Sequence, residues 1–376
     1  MSKLKSLIFM KFVNFLGIKI KRKIVVFESD DWGSIRMPSA HVYEESLRQG
    51  LRVDKCHFMR YDSLANIEDF ESLFNLLIKY KDINGNHPVI TANAVVSNPD
   101  FEKIRESKYQ QYFYEPFTES IKQYPNHSFK IWQQGMAQNI FYPQFHGREH
   151  LNVSRWMRAL RNNSKEIHLA FKNRMFGISS TISNENNPSF MAAFDPDCNE
   201  DLVNQKMILE DGLNIFHDIF GYKSRSFIAP NYIWHSSIEN TLHKNSVEFI
   251  KGAIFQNQPN LKGNTRRKFH FCGEQNANKQ LHLTRNCWFE PSSDKSVDWV
   301  NSCLNDIRSA FSAKKPAIVS CHRVNFIGNI DPENRKKTLT EFSILLKEII
   351  KQWPDVEFMN SDELGDVIKK SKEKIY

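Results

Sequence analysis

Short β-branched apolar runs, most followed by a segment with helical periodicity, recur from Lys23 to Lys372. That alternation restricts the fold more than any other feature of the chain. It predicts strands over 23–27, 87–96, 139–145, 225–229, 249–255, 281–289, 317–320 and 356–359. It predicts helices over 39–50, 67–80, 151–160, 206–220, 236–245, 297–311, 338–353 and 362–372. Strands that alternate with helices favour a parallel sheet with helical crossovers, as a barrel or an open doubly wound sheet, and the number of strands suits a barrel. With 376 residues the chain is long enough to build one large barrel. We therefore expect a single α/β domain over 21–376, with 161–204 as a polar, loop-bearing insertion that holds one candidate strand at 175–180.

Composition removes several classes of function. The net charge of +8 comes from scattered Lys and Arg, and Arg266-Arg267-Lys268 is too short for a nucleic-acid arm, so no nucleic-acid partner is expected. None of the six cysteines has CxxC or zinc-finger spacing, which suggests reduced thiols in a cytoplasmic protein. Segment 1–20 is too broken to span a membrane, but Leu4, Ile8, Phe12, Phe15 and Leu16 fall on one face of a helix that Gly17 can end. That face packs on the body in one reading. In another it makes peripheral membrane contact, flanked by Lys5 and Lys11.

Barrel active sites gather at the C-terminal ends of the strands. The polar residues at those ends are Asp30, Asp31, Asn93, His146, His150, Asn231, Glu290 and His322. Two adjacent carboxylates at Asp30-Asp31 repel each other and are costly to desolvate, which a metal or a shared proton would relieve. A solvated, helix-capping loop is the plainer alternative. His146 and His150, four apart, would share one face of a helix and could chelate a metal with one carboxylate. The same stretch also reads H-x-x-E-H, with Glu149 as the general base of a zinc metallopeptidase. His322 ends an apolar run, where an imidazole can serve as a general acid or as a hydrogen-bonded structural group. Alternation turns Cys321 to the opposite face, which argues against a thiol nucleophile.

Taken in order, Asp-Asp after the first strand, HxxxH after a middle strand, a Pro-containing strand end, Asp-Trp and a late strand ending in His resemble the polysaccharide deacetylase superfamily, carbohydrate esterase family 4. The resemblance covers about 23–370 in outline. It implies a distorted (β/α) barrel of about seven parallel strands. It also implies metal-dependent removal of acetyl groups, N-acetyl first, from a polysaccharide or oligosaccharide. Asp30 is then the base, and Asp31, His146 and His150 hold a divalent metal, zinc by resemblance. His322 is the acid, supported by Asp298 of Asp298-Trp299. Trp32, Pro230, Tyr232 and Trp234 are candidate contacts to the carbohydrate substrate.

Three departures stand out. Ile228 occupies the place of the family's Arg that pairs with the catalytic Asp, and Arg225 faces the other side of a regular strand. Arg148, Arg285 and Arg323 remain as substitutes; left unpaired, Asp30 would have a raised pKa. Gly147 replaces a small hydroxyl residue, and the 161–204 insertion is atypical. A catalytically silent glycan-binding barrel is the main alternative, with the metallopeptidase as a third reading.

Overall fold

The computed structural model describes residues 16–185, 189–261 and 265–373. Nine strands form the main sheet: β1 Lys23–Trp32, β2 Ile90–Val95, β3 Phe141–Gly147, β4 Ser226–Ile228, β5 Phe249–Gly252, β6 Leu281–Thr284, β7 Cys287–Trp288, β8 Ala317–His322 and β9 Val356–Phe358. Their spatial order is β6-β5-β4-β3-β2-β1-β8-β7, with β9 against the start of β1, and every pairing is parallel. The two ends of that order are consecutive in sequence. Arg285-Asn286 carries the chain from one edge to the other: Arg285 N–H donates to Gly252 O and Asn286 N–H to Ile318 O. The curled sheet thus closes on itself through 281–288, as a distorted barrel.

Alternation along the strands sorts the barrel interior into layers. Ile24, Val26, Phe249, Leu281, Leu283 and Ile318 form an apolar floor, sealed by Leu364 and Ile368 of the helix Ser361–Glu373. Above it lie the buried polar groups Glu28, Thr91, Lys251, Arg285 and Ser320. Outward-facing residues such as Val25, Phe27, Val319 and Cys321 pack in the main core under the surrounding helices.

A second apolar core sits beside the barrel mouth. It joins Val53 and Met59 to Trp156, Phe171, Phe176, Ile178 and Phe190, so most of it comes from the insertion and the helix before it. The strand expected at 175–180 does not form; this stretch is irregular because Met175, Phe176 and Ile178 are drawn into that core instead of a ladder. The run expected at 249–255 likewise splits, and Phe255–Pro259 forms a separate antiparallel hairpin with Thr265–Phe269.

Residues 1–15 of the amphipathic N-terminal segment lie outside the described residues. Residues 18–20 are tied to the body, with Ile18 N–H donating to Cys272 O and Ile20 N–H to Lys314 O. Among the described residues no helix is long and apolar enough to cross a membrane.

Candidate active site

Successive residues of a regular strand point to opposite faces, so Asp30 and Asp31 should not share a mouth. A local break lets them do so. The β1–β2 register shifts between Ser29 and Trp32, and Asp31 takes a positive φ of 75°, a conformation that non-glycine residues adopt at some cost. Gly33 follows with φ 84°, and its α-carbon lies so close to Val95 O that any Cβ would sit 2.4 Å from it.

A second break serves the histidines. His146 is still on β3, while His150 lies in the turn beyond it, so the two do not share a helix face as their spacing suggested. The β2–β3 register shifts at this point, and Gly147 has φ 145°. That φ, with a would-be Cβ 3.0 Å from Glu149 O, accounts for glycine in place of a hydroxyl residue.

These two breaks bring Asp31, His146 and His150 together. His146 Nε2 lies 3.5 Å and His150 Nε2 3.2 Å from Asp31 Oδ1. His146 Nδ1–H donates to Ile228 O at 2.8 Å, which fixes the tautomer and leaves Nε2 as a lone pair. Asp31 Oδ1 and His146 Nε2 are buried and have no hydrogen-bond partner. Orphaned acceptors of this kind are costly unless something electropositive sits between them. The residues therefore fit a divalent cation. Burial pushes the His150 imidazole down to about 3, so it is a neutral donor. Burial raises the Asp31 carboxyl, but the charges around it, the Arg36 guanidinium 3.2 Å away among them, more than offset this and lower it.

Asp30 has a partner in the segment that joins β6 to β7. Arg285 donates to both of its oxygens, Nη2 to Oδ1 at 2.6 Å and Nη1 to Oδ2 at 2.7 Å, and its Nε donates to Glu28 at 2.6 Å. Arg285 is fully buried. Burial raises the Asp30 carboxyl, and the guanidinium more than reverses that, so Asp30 is ionised throughout the physiological range. Of the other candidates, Arg148 pairs with Glu149 and Asp211, Arg323 with Asp62, and Arg225 with Glu248 and Asp366. Of the three substitutes, it is Arg285 that pairs with Asp30, so the raised pKa expected of an unpaired Asp30 does not arise.

His322 is the direct register partner of Asp30 across β1 and β8. Its Nδ1–H donates to Glu290 Oε1 at 2.6 Å, and Nε2 lies 3.8 Å from Asp30 Oδ2. Burial lowers this imidazole, but Glu290 outweighs it and lifts the pKa to about 9. Glu290 is itself held by the Asn325 amide. Two groups not singled out as partners also belong here. Asn93 donates its amide to Asp30 Oδ1 at 2.7 Å, and the ammonium of the buried Lys251 donates to Asn93 Oδ1. Lys251 thus orients the Asn93 amide so that its NH2, not its oxygen, faces the carboxylate.

Four expectations need correction. Asp298 is not beside His322: it is exposed and N-caps the helix Trp299–Ser312. Trp32 is buried against Phe70, Trp132 and Phe141 with its indole N–H on Ser29, because the break at Asp31 turns it into the core. Trp234 is buried too, donating to Glu239. Pro230 is buried under the loop, whereas Tyr232 lines the cavity and accepts from Arg285. The fifth residue at issue, Glu149, is paired with Arg148 and does not line the cavity, which removes the base that a metallopeptidase would need.

No family model matches the sequence, and no curated protein matches it. Solved structures overlap most of the chain. A Mycobacterium smegmatis protein assigned as a polysaccharide deacetylase is 8% identical, with a TM-score of 0.47 over 95% of this chain and 94% of that one. Puue allantoinase is 10% identical, with a TM-score of 0.40 over 91% and 89%. A 4-alpha-glucanotransferase from Thermococcus litoralis is 10% identical, with a TM-score of 0.44 over 91% of this chain; the chain spans only 40% of that protein's length. Polysaccharide deacetylases are among the solved structures this chain resembles. The chemistry rests on the side chains at the barrel mouth.

Proposed function

We propose that the protein is a metal-dependent deacetylase that hydrolyses an N-acetyl group on a saccharide. The observation that supports this most is the set of buried, unpartnered ligand atoms on Asp31 and His146, with an ionised carboxylate to one side and a charged imidazole to the other. Two imidazoles and a carboxylate suit zinc, and such an ion supplies Lewis-acid polarisation of the acyl carbonyl and acidifies water.

The rest of the reaction falls to the chain's own groups. Asp30, fixed by Arg285 and Asn93, takes the proton of the attacking water. His322 is protonated near neutral pH and has its Nδ1–H committed to Glu290, so Nε2–H is the proton it can give to the departing amine. A silent glycan-binding barrel drew its support from the missing guanidinium at Ile228; Arg285 supplies a guanidinium to Asp30 from the segment between β6 and β7, which weakens that reading.

The test uses metal content and acetate release from N-acetylated oligosaccharides. Asp30→Asn should retain metal and lose turnover, Asp31→Asn should lose metal, and Glu149→Gln should stay active. Metal-loaded wild type that releases no acetate from any glycan tried would favour the silent binder.

A further inference from the structure

The two carboxylate oxygens of Asp31 have different surroundings. Oδ1 lies 3.5 Å from His146 Nε2 and 3.2 Å from His150 Nε2, and has no hydrogen-bond partner. Oδ2 accepts from Arg36 Nη2 at 3.2 Å. One oxygen is thus bare beside the imidazoles, and a guanidinium occupies the other. Arg36 is itself held by its neighbours. Its Nε stands 3.8 Å from Asp62 Oδ2, and its guanidinium carbon lies 4.9 Å from the centre of the Phe58 ring. Asp62 is fully buried and gripped by Arg323, Nε to Oδ1 at 3.0 Å and Nη2 to Oδ2 at 2.9 Å. The remaining nitrogen of Arg323, Nη1, donates to Ser34 O at 2.7 Å, and Ser34 N–H donates to Asp31 O at 3.2 Å. Charges therefore alternate from Asp31 through Arg36 and Asp62 to Arg323, and Arg323 returns to the turn that carries Asp31. Each buried charge has an opposite neighbour, which offsets its desolvation.

We propose that Arg36 is a positioning residue for the metal ligand: by occupying Oδ2, it leaves Oδ1 as the single oxygen that Asp31 presents to the ion. This rests on the metal site of the deacetylase reading and is independent of the substrate. Two effects of Arg36 on a bound cation oppose each other. Its positive charge repels the ion, so charge alone would let the cation bind more tightly once Arg36 is removed. Its hold on Oδ2 orients the carboxylate, and loss of such an outer partner weakens metal binding by about 10–100-fold. The relay behind Arg36 favours the second effect. Asp62 offsets part of the guanidinium charge, and the two hydrogen bonds from Arg323 fix Asp62 in place.

Two measurements on the full chain test this: zinc affinity, by competition with a chromophoric chelator, and the visible spectrum of the cobalt-loaded protein, whose bands weaken as coordination number rises. Arg36→Met should bind zinc more weakly by about tenfold or more. Its cobalt bands should weaken as the freed Oδ2 joins Oδ1 on the ion. Arg36→Lys keeps the charge but loses the planar fork that spans Asp31 and Asp62, and it too should bind zinc more weakly. Zinc affinity that is unchanged or tighter in Arg36→Met would overturn the positioning role and leave the deacetylase reading intact. Should Arg36→Met fail to fold, Arg36→Lys decides: zinc affinity and a cobalt spectrum equal to those of wild type would overturn the role. Wild type that binds neither zinc nor cobalt would sink the metal site and the deacetylase reading together.

Discussion

Arg285 reaches Asp30 from the stretch that closes the barrel, and it grips both carboxylate oxygens at 2.6 and 2.7 Å. A guanidinium placed there is held by Glu28 below and Asp30 above, so it ties barrel closure to the geometry of the proposed base. Removing it strands two buried carboxylates. Arg285→Met should therefore destabilise the fold by about 3–5 kcal/mol, read by chemical denaturation. Arg285→Lys keeps the charge but loses the two-pronged grip; it should fold, bind metal and show turnover lower by about 100-fold.

Glu290 sets the protonation of His322. The His322 pKa of about 9 lies above the ordinary 6.5, so the charged form is favoured by the fold. This contribution to stability is complete below pH 6.5 and disappears as pH rises through about 9. Turnover should fall over that same upper limb as the acid loses its proton. In Glu290→Gln the limb should move toward neutral pH, seen in a pH–rate profile; an unmoved limb would mean that His322 is not the acid.

Lys251 acts through Asn93. With Lys251→Met the Asn93 amide is free to turn its oxygen toward Asp30, which is repulsive. The expected result is a drop in kcat of about tenfold with little change in KM or in metal content, since no ligand atom is disturbed. Equal losses in metal binding would instead indicate a general structural role.

The fate of Asp298 separates motif from geometry. Asp298→Ala should leave kcat/KM unchanged and cost about 1 kcal/mol of stability through the lost helix cap, whereas Glu290→Gln should impair catalysis.

How far the site was legible depends on which rule governs each residue. Strand ends were readable, and Asp30, His146 and His322, read as lying at such ends, line one cavity in the structure. Alternation along a strand places Arg285 with Leu281 and Leu283 on the inner face, a signal available in the sequence that could have selected it among the arginines. What lay beyond reach was irregular. The positive φ of Asp31 and the turn at Gly147 are tertiary solutions that no periodicity announces. They are also why Asp31 joins His146 and His150 and why Trp32 faces the core. Glu290 and Asp298 are both acidic groups near the end of one strand region, and only the three-dimensional path puts the first against His322 and the second on the surface.

Removal and return of metal tests the central claim most directly. Acetate released from di-N-acetylchitobiose should be matched by free amine, vanish after chelation and dialysis, and return with about one equivalent of zinc per chain. Acetate release that persists in fully metal-free protein, or none in protein that holds one zinc per chain, would contradict it.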